Sequence, residues 1–273
     1  MREFRQVDVF STEALQGNPV AVVHDADGIT DEQMAAFARW TNLSETTFLL
    51  TPTDAAADYR LRIFTPDGEL PFAGHPTLGS AHAWLEAGGA PAGEGVVVQE
   101  CAAGLVRVQR GEVLAFVAPP LVRSGPVSQE DLAAIARALR VERDDLLDSA
   151  WIDNGPGWVG VLVADASAVL ALHPDFAAFG DLKIGVVGPY DEGPVAVEVR
   201  AFCPGFGMPE DPVTGSLNAG IGQWLGGTTL PTAYVASQGT ALNRTGRVHV
   251  EVSDAMVTVG GATRTTIVGT VDL

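Results

Sequence analysis

The stretch FTPDGELPFAGHPTLGSA (residues 64–81) occurs a second time in the same chain as FCPGFGMPEDPVTGSLNA (residues 202–219). Each copy opens on Phe-x-Pro, continues through Gly, Glu and Pro to a polar residue before a Pro, and closes on Gly-Ser. The polar residues are His75 and Asp211, which are 136 positions apart. A spacing close to half of the 273 residues indicates an internal repeat.

A second pair of landmarks has the same spacing. Asn18 and Asn154 are also 136 positions apart, and each lies in a Gly/Pro turn before a Val-rich strand. Two landmarks at one spacing predict two homologous halves that meet at a cleft. The Pro-rich segment 117–127 is the best candidate for a linker, so we expect domains at 1–118 and 119–273, with the last strand free to return to the first domain.

Both halves alternate short strands, rich in Val and other β-branched residues, with Gly and Pro turns. Helical patterns are few, and each half has one long one that begins in the repeated motif. The pattern predicts an α+β fold of two pseudo-symmetric domains, each a curled sheet or barrel around a central helix.

Composition narrows the class of protein. Hydrophobic residues make up 47% of the chain and the net charge is -18, which favours a globular fold and disfavours nucleic acid and anionic membrane surfaces as partners. No apolar run reaches the length of a membrane span. The first residues enter a strand pattern without signal-peptide anatomy, so we expect a cytoplasmic protein.

The repeated motif also predicts two helix starts, at His75-Pro76 and at Asp211-Pro212, because Pro suits the first helical position. Small residues nearby, Gly74, Gly79-Ser80 and Gly215-Ser216, let a ligand approach free backbone N–H groups. Two such helix ends would supply positive potential for a small anionic substrate in a strongly acidic chain.

Several motifs together resemble those of the phenazine-biosynthesis PhzF-like family, which has the diaminopimelate epimerase-like fold. They are QVDVFSTEALQGNPVAVV (6–23), NLSETTFLL (42–50), FTPDGELPFAGHPTLGSAHAWL (64–85), PEDPVTGSLNAGIGQWL (209–225) and SQGTALNRTGRVHVEV (237–252). The resemblance covers almost the whole chain. It implies an active site in the cleft between the domains, no cofactor or metal, and a homodimer.

The resemblance also implies roles for individual residues. Glu45 would be the catalytic acid/base, with His75 and Asp211 as further catalytic residues on opposite walls. The substrate-binding pocket would be shaped by Asn18, Ser44, Gly74, Gly215 and Ser216. The family is known for cofactor-independent proton transfer within small unsaturated amino or hydroxy carboxylic acids.

This chemistry agrees with the residue types. A carboxyl at the start of an apolar strand is removed from water, which helps it to hold a proton and return it. His75 would donate to or accept from the substrate, because an ordinary imidazole titrates near the working pH.

Two alternatives stay open at the level of the sequence. One is an epimerase or racemase with Glu45 and Asp211 as its two bases; the other is a non-catalytic protein that binds a small acid. The chain also departs from the commonest family pattern at Leu217-Asn218, which we expect on the pocket side of the helix. This departure puts an anthranilate-type substrate in doubt.

Overall fold

The computed structural model describes residues 1–206, 208–254 and 256–273; Gly207, inside the second copy of the repeat, and Ala255 lie outside the described residues. The chain divides into two compact units. Unit 1 consists of Met1–Val117 and Gly260–Leu273, and unit 2 of Ala118–Val259.

In unit 1, strands and two helices follow one another along the first chain segment. They are β1 (Arg2–Val9), β2 (Asn18–Val23), α1 (Asp31–Thr41), β3 (Glu45–Leu50), β4 (Tyr59–Phe64), β5 (Glu69–Leu70), α2 (Gly74–Glu86), β6 (Val96–Cys101), β7 (Gly104–Arg110) and β8 (Leu114–Val117).

Unit 2 repeats this alternation and adds a helix near its start. Its elements are β9 (Arg123–Pro126), α3 (Gln129–Leu139), β10 (Asp148–Asp153), β11 (Trp158–Leu162), α4 (Ala166–Leu170), β12 (Lys183–Pro189), β13 (Val197–Phe202), β14 (Glu210–Asp211), α5 (Gly215–Leu225), β15 (Ala233–Gln238) and β16 (Gly246–Ser253). The chain then runs through β17 (Met256–Gly261) to β18 (Thr263–Val271), which belongs to unit 1.

The two units share one pattern of strand pairing. In unit 1, β2 is parallel to β3, β3 and β5 are antiparallel to β4, β4 is parallel to β6, and β6 is antiparallel to β7. In unit 2, the strands β11, β12, β13, β14, β15 and β16 pair in the same order and directions. The shared topology confirms the predicted α+β fold and its internal repeat.

Each unit surrounds one buried helix with its strands. In unit 1, α2 is so close to β2 that a Cβ at Gly79 would overlap the side chain of Val20. In unit 2, α5 lies as close to β10, where a Cβ at Gly220 would stand 2.6 Å from the carbonyl oxygen of Ile152. Both helices therefore use glycine to pack against the surrounding sheet.

One of the two predicted helix starts is displaced. α2 begins at Gly74, next to the predicted His75, but α5 begins at Gly215, four residues after Asp211. Asp211 instead forms β14 with Glu210 and pairs with Ala201. The short strand before the helix accounts for the displacement. In both copies the helix begins four residues after this strand ends, at Leu70 in the first copy and at Asp211 in the second.

None of the helices in the described part of the chain has the length and apolar composition that crossing a membrane requires.

Candidate functional site

The parallel pairing of β2 and β3 brings Asn18 and Glu45 to one edge of the unit 1 sheet. Each is the first residue of its strand, and Glu45 pairs with Val20. Asn18 is fully buried, and the side chain of Glu45 is only 15% exposed. The start of α2 lies at the same edge, with Nε2 of His75 3.5 Å from Oε2 of Glu45.

The imidazole of His75 also forms a hydrogen bond with a backbone carbonyl. Its side chain is 6% exposed, and the backbone carbonyl of Pro19 accepts a hydrogen bond from the ring. Nε2 has no hydrogen-bond partner among the described residues, so the donor to Pro19 is Nδ1. Nε2 therefore carries a lone pair that faces the carboxyl of Glu45.

Burial determines the charge of this histidine. Loss of solvent around the ring lowers the pKa of His75 to about 3, against a smaller opposing effect of the Pro19 carbonyl. The imidazole is neutral at pH 7, so its contact with Glu45 is not an ion pair. The expectation that His75 titrates near the working pH is therefore wrong, because the sequence does not reveal how completely this ring is buried.

Ser44 and Gly74 flank these two side chains. Ser44 is half-buried and directly precedes β3, and Gly74 is the buried first residue of α2. A Cβ at Gly74 would lie 2.6 Å from Cζ of Phe116, so packing against β8 alone accounts for glycine at this position.

The helices differ in how their N-termini are capped. The side chains of Thr30, Ser128 and Asp165 accept backbone N–H groups at the starts of α1, α3 and α4. The residues that precede α2 and α5, Ala73 and Thr214, make no such side-chain bond in the described structure. The first N–H groups of these two helices therefore have no side-chain cap, which suits an anion.

Asp211 has a partner within its own loop in unit 2. The hydroxyl of Thr214 donates to Oδ2 of Asp211 at 2.6 Å. Gln238, the last residue of β15, donates from Nε2 to the Asp211 carbonyl at 3.0 Å and to the Thr214 hydroxyl at 2.9 Å. The sequence analysis did not identify Thr214 or Gln238 as site residues. Both lie in the quoted family motifs, Thr214 in residues 209–225 and Gln238 in residues 237–252.

Gly215 and Ser216 form the first turn of α5. Gly215 is buried, and the Ser216 hydroxyl accepts from the indole N–H of Trp158 at 3.0 Å. The Ser216 carbonyl accepts from Nδ2 of Asn154 at 2.9 Å. Asn154, identified above only as a landmark of the repeat, thus holds the start of α5.

Leu217 and Asn218 are both completely buried. Leu217 packs so closely on β12 that a Cβ at Gly185 would overlap its side chain. Asn218 donates from Nδ2 to the Thr214 carbonyl and to Oε1 of Gln238, both at 2.9 Å. The expectation that both line a pocket is therefore wrong for Leu217, which belongs to the core, whereas Asn218 belongs to the polar contacts around Asp211.

The described residues hold no group of three or more His, Cys, Asp or Glu side chains arranged to bind a metal ion.

Comparison with known proteins identifies the family. The family model of phenazine biosynthesis-like proteins, PhzC-PhzF, matches residues 7–271. Antisense-enhancing sequence 1 of Schizosaccharomyces pombe is 37% identical, over 97% of both chains. A trans-2,3-dihydro-3-hydroxyanthranilate isomerase of Pseudomonas aeruginosa is also 37% identical, over 79% of this chain and 77% of its own length.

Solved structures agree with these matches. A PhzF-family protein of Enterococcus faecalis is 26% identical, with a TM-score of 0.82 over 100% of both chains. A protein of Pseudomonas aeruginosa described as a predicted epimerase is also 26% identical, with a TM-score of 0.76 over 99% of both chains. The chain belongs to the phenazine biosynthesis-like PhzC-PhzF family, and it is an enzyme of the isomerase class.

Proposed function

We propose that this enzyme moves a proton within a small unsaturated amino or hydroxy carboxylic acid without a cofactor, with Glu45 as acid/base. The observation that carries the proposal is the contact between Glu45 and a neutral His75 at 3.5 Å. Relatives named trans-2,3-dihydro-3-hydroxyanthranilate isomerase support this reaction type.

The contact suggests how the proton is handled. The Glu45 carboxylate removes a proton from a carbon made acidic by neighbouring unsaturation, and the electrons of that C–H bond form a new double bond. While Glu45 holds the proton, its O–H has an acceptor in the lone pair of His75 Nε2. Glu45 then returns the proton to a second carbon, whose former double bond supplies the electrons.

We assign the binding of the substrate carboxylate to uncapped N–H groups at a helix start. The candidates are the start of α2 at Gly74 and the start of α5 at Gly215 and Ser216. The support is the contrast with the three helices that carry side-chain caps. Asn18 and Ser44 would complete the pocket around Glu45. Asp211 would bind a hydroxyl or amino group of the substrate as an acceptor.

Proton NMR in D2O tests the role of Glu45. The substrates would be trans-2,3-dihydro-3-hydroxyanthranilic acid and a panel of unsaturated amino and hydroxy acids. We expect deuterium uptake with a shifted double bond in the wild type, and a loss of about 100-fold or more in Glu45→Gln, because a positioned acid/base contributes at least that much. Glu32→Gln, at an exposed glutamate of α1, is the control and should keep the wild-type rate.

Equal exchange rates in the wild type and in Glu45→Gln would contradict the proposal.

The second candidate is an epimerase with Glu45 and Asp211 as its bases, which the similarity to a predicted epimerase favours. In that case deuterium uptake would be accompanied by loss of optical rotation, and the double bond would stay in place.

From the family resemblance and the sequence, we also propose a homodimer and a cytoplasmic location. The exposed side chains of Ile267 and Val268 on β18, at 47% and 66% exposure, are candidates for a surface between copies. Sedimentation equilibrium should then give twice the chain mass of 28.5 kDa, and cell fractionation should place the protein with the cytoplasm.

A further inference from the structure

We propose that Thr214 and Gln238 are positioning residues that hold Asp211 as an ionised hydrogen-bond acceptor. This inference rests on the proposed function only in one respect: it takes Asp211 to be a residue that contacts the substrate. It concerns a relay of side chains that lies entirely within unit 2: Gln238 to Thr214 to Asp211.

The orientation of the Gln238 amide follows from the backbone. Its Oε1 accepts from the N–H of Thr214 at 3.0 Å, and its Nε2 donates to the carbonyl of Asp211 at 3.0 Å. A backbone N–H can only donate and a carbonyl can only accept, so the amide cannot be flipped. Gln238 is 1% exposed, which keeps water from competing for these bonds.

The amide in turn determines the direction of the Thr214 hydroxyl. The second hydrogen of Gln238 Nε2 points to Oγ1 of Thr214 at 2.9 Å, so this oxygen already accepts one bond. Its own hydrogen is then free to point to Oδ2 of Asp211 at 2.6 Å. If Oδ2 carried a proton, the two hydrogens would compete for this short contact. The relay therefore favours the carboxylate form of Asp211.

Asn218 completes the arrangement from the next turn of α5. It donates to Oε1 of Gln238 at 2.9 Å, so both oxygen and nitrogen of that amide are used. The backbone is close here as well: Gly239 has a φ of +96°, and a Cβ on it would lie 2.9 Å from the carbonyl oxygen of Pro212. The Gln-Gly pair is thus suited to hold the loop that carries Asp211.

Unit 1 provides an internal comparison. The last residue of β6, which holds the place of Gln238 in the shared order of elements, is Cys101. Its thiol contacts the carbonyl of Gly104 at 3.5 Å and takes part in no comparable amide relay among the described residues. Two residues earlier on β6, Nε2 of Gln99 donates to the hydroxyl of Thr77 in α2 at 3.1 Å, so unit 1 has a related contact between an amide and a threonine. In unit 2 the threonine hydroxyl also donates to a carboxylate, that of Asp211.

The test reads the carboxyl group directly and needs no substrate. Protein labelled with 13C at the aspartate carboxyls would be titrated by NMR, with Asp211 assigned through Asp211→Asn. In Thr214→Val we expect the titration midpoint of Asp211 to move up by about one pH unit, because the carboxylate loses a hydrogen-bond donor. Gln238→Leu should move it in the same direction.

Thr214→Ser keeps the hydroxyl and should restore the wild-type midpoint, whereas Thr232→Val, at an exposed threonine of unit 2, should leave it unchanged. An unchanged midpoint in Thr214→Val, or an equal shift in Thr214→Ser, would overturn the inference. The Glu45 exchange experiment is independent of this titration, so failure of the proposed function and failure of the relay can be told apart.

Discussion

His75 shows how strongly one residue can depart from its ordinary chemistry. The ring is enclosed where β2, β3 and α2 begin, with a carbonyl on one nitrogen and a carboxyl near the other. Because burial lowers its pKa, the ring beside Glu45 is neutral and not a cation. In the proposed mechanism, Glu45 is therefore the group that carries the transferred proton.

The low pKa of His75 predicts a pH dependence of stability. Between the ordinary value of 6.5 and about 3, the unfolded chain binds a proton at this histidine that the folded protein does not bind. The free energy of unfolding therefore falls as the pH falls through this window. Above pH 7 neither state binds this proton, so His75 no longer makes the free energy of unfolding depend on pH. We expect His75→Gln to reduce the slope by up to about 1.4 kcal/mol per pH unit.

Urea denaturation between pH 5 and 7 measures this slope. His173→Gln, at an exposed histidine, is the matched control and should keep the slope of the wild type. Identical slopes in the wild type and in His75→Gln would mean that the folded protein protonates His75 as easily as the unfolded chain.

At the scale of the element, the residues of α2 favour close packing over intrinsic helix propensity. Buried residues line most of its length, and it contains two glycines, Gly74 and Gly79. Gly79 stands against Val20 of β2 and Val9 of β1. The sequence suggested glycine for ligand approach at both positions, but at both of them an added Cβ would overlap a packed side chain, that of Phe116 at Gly74 and that of Val20 at Gly79.

Gly79→Ala should therefore destabilise the protein. Alanine gains about 1 kcal/mol in helix propensity, but the added methyl group overlaps Val20, and overpacking of a core typically costs about 1–3 kcal/mol. We expect a net loss in the free energy of unfolding, measured by urea denaturation. Gly68→Ala, where nothing lies within 4 Å of the new Cβ, should behave like the wild type; a stabilised Gly79→Ala would contradict the packing argument.

At the scale of the whole molecule, unit 1 is built from two distant parts of the chain. β18 pairs antiparallel with β1, from Thr263 opposite Val9 to Val271 opposite Arg2. His82 of α2 also contacts the hydroxyls of Thr263 and Thr265, each at 3.0 Å. The last strand therefore connects the outer sheet of unit 1 to its central helix.

Removal of residues 263–273 should destabilise the protein by several kcal/mol, because each ladder hydrogen bond contributes about 0.5–1.5 kcal/mol. Thermal unfolding followed by circular dichroism measures the loss. A synthetic peptide of residues 263–273 should raise the melting temperature of the truncated protein, and a peptide with the same residues in scrambled order should not. A truncated protein as stable as the full chain would show that β18 is dispensable.

The sequence by itself determined the internal repeat, the α+β alternation, the acidic charge and the family. These are carried by local patterns: strand periodicity, Gly and Pro turns, and motifs within short segments. The tertiary structure alone decided the contact of Glu45 with His75, the charge of that imidazole, the true start of α5 and the relay from Gln238 to Asp211. These depend on burial and on pairing between residues far apart in the chain, such as 45 with 75 and 211 with 238, and no local pattern encodes such distances.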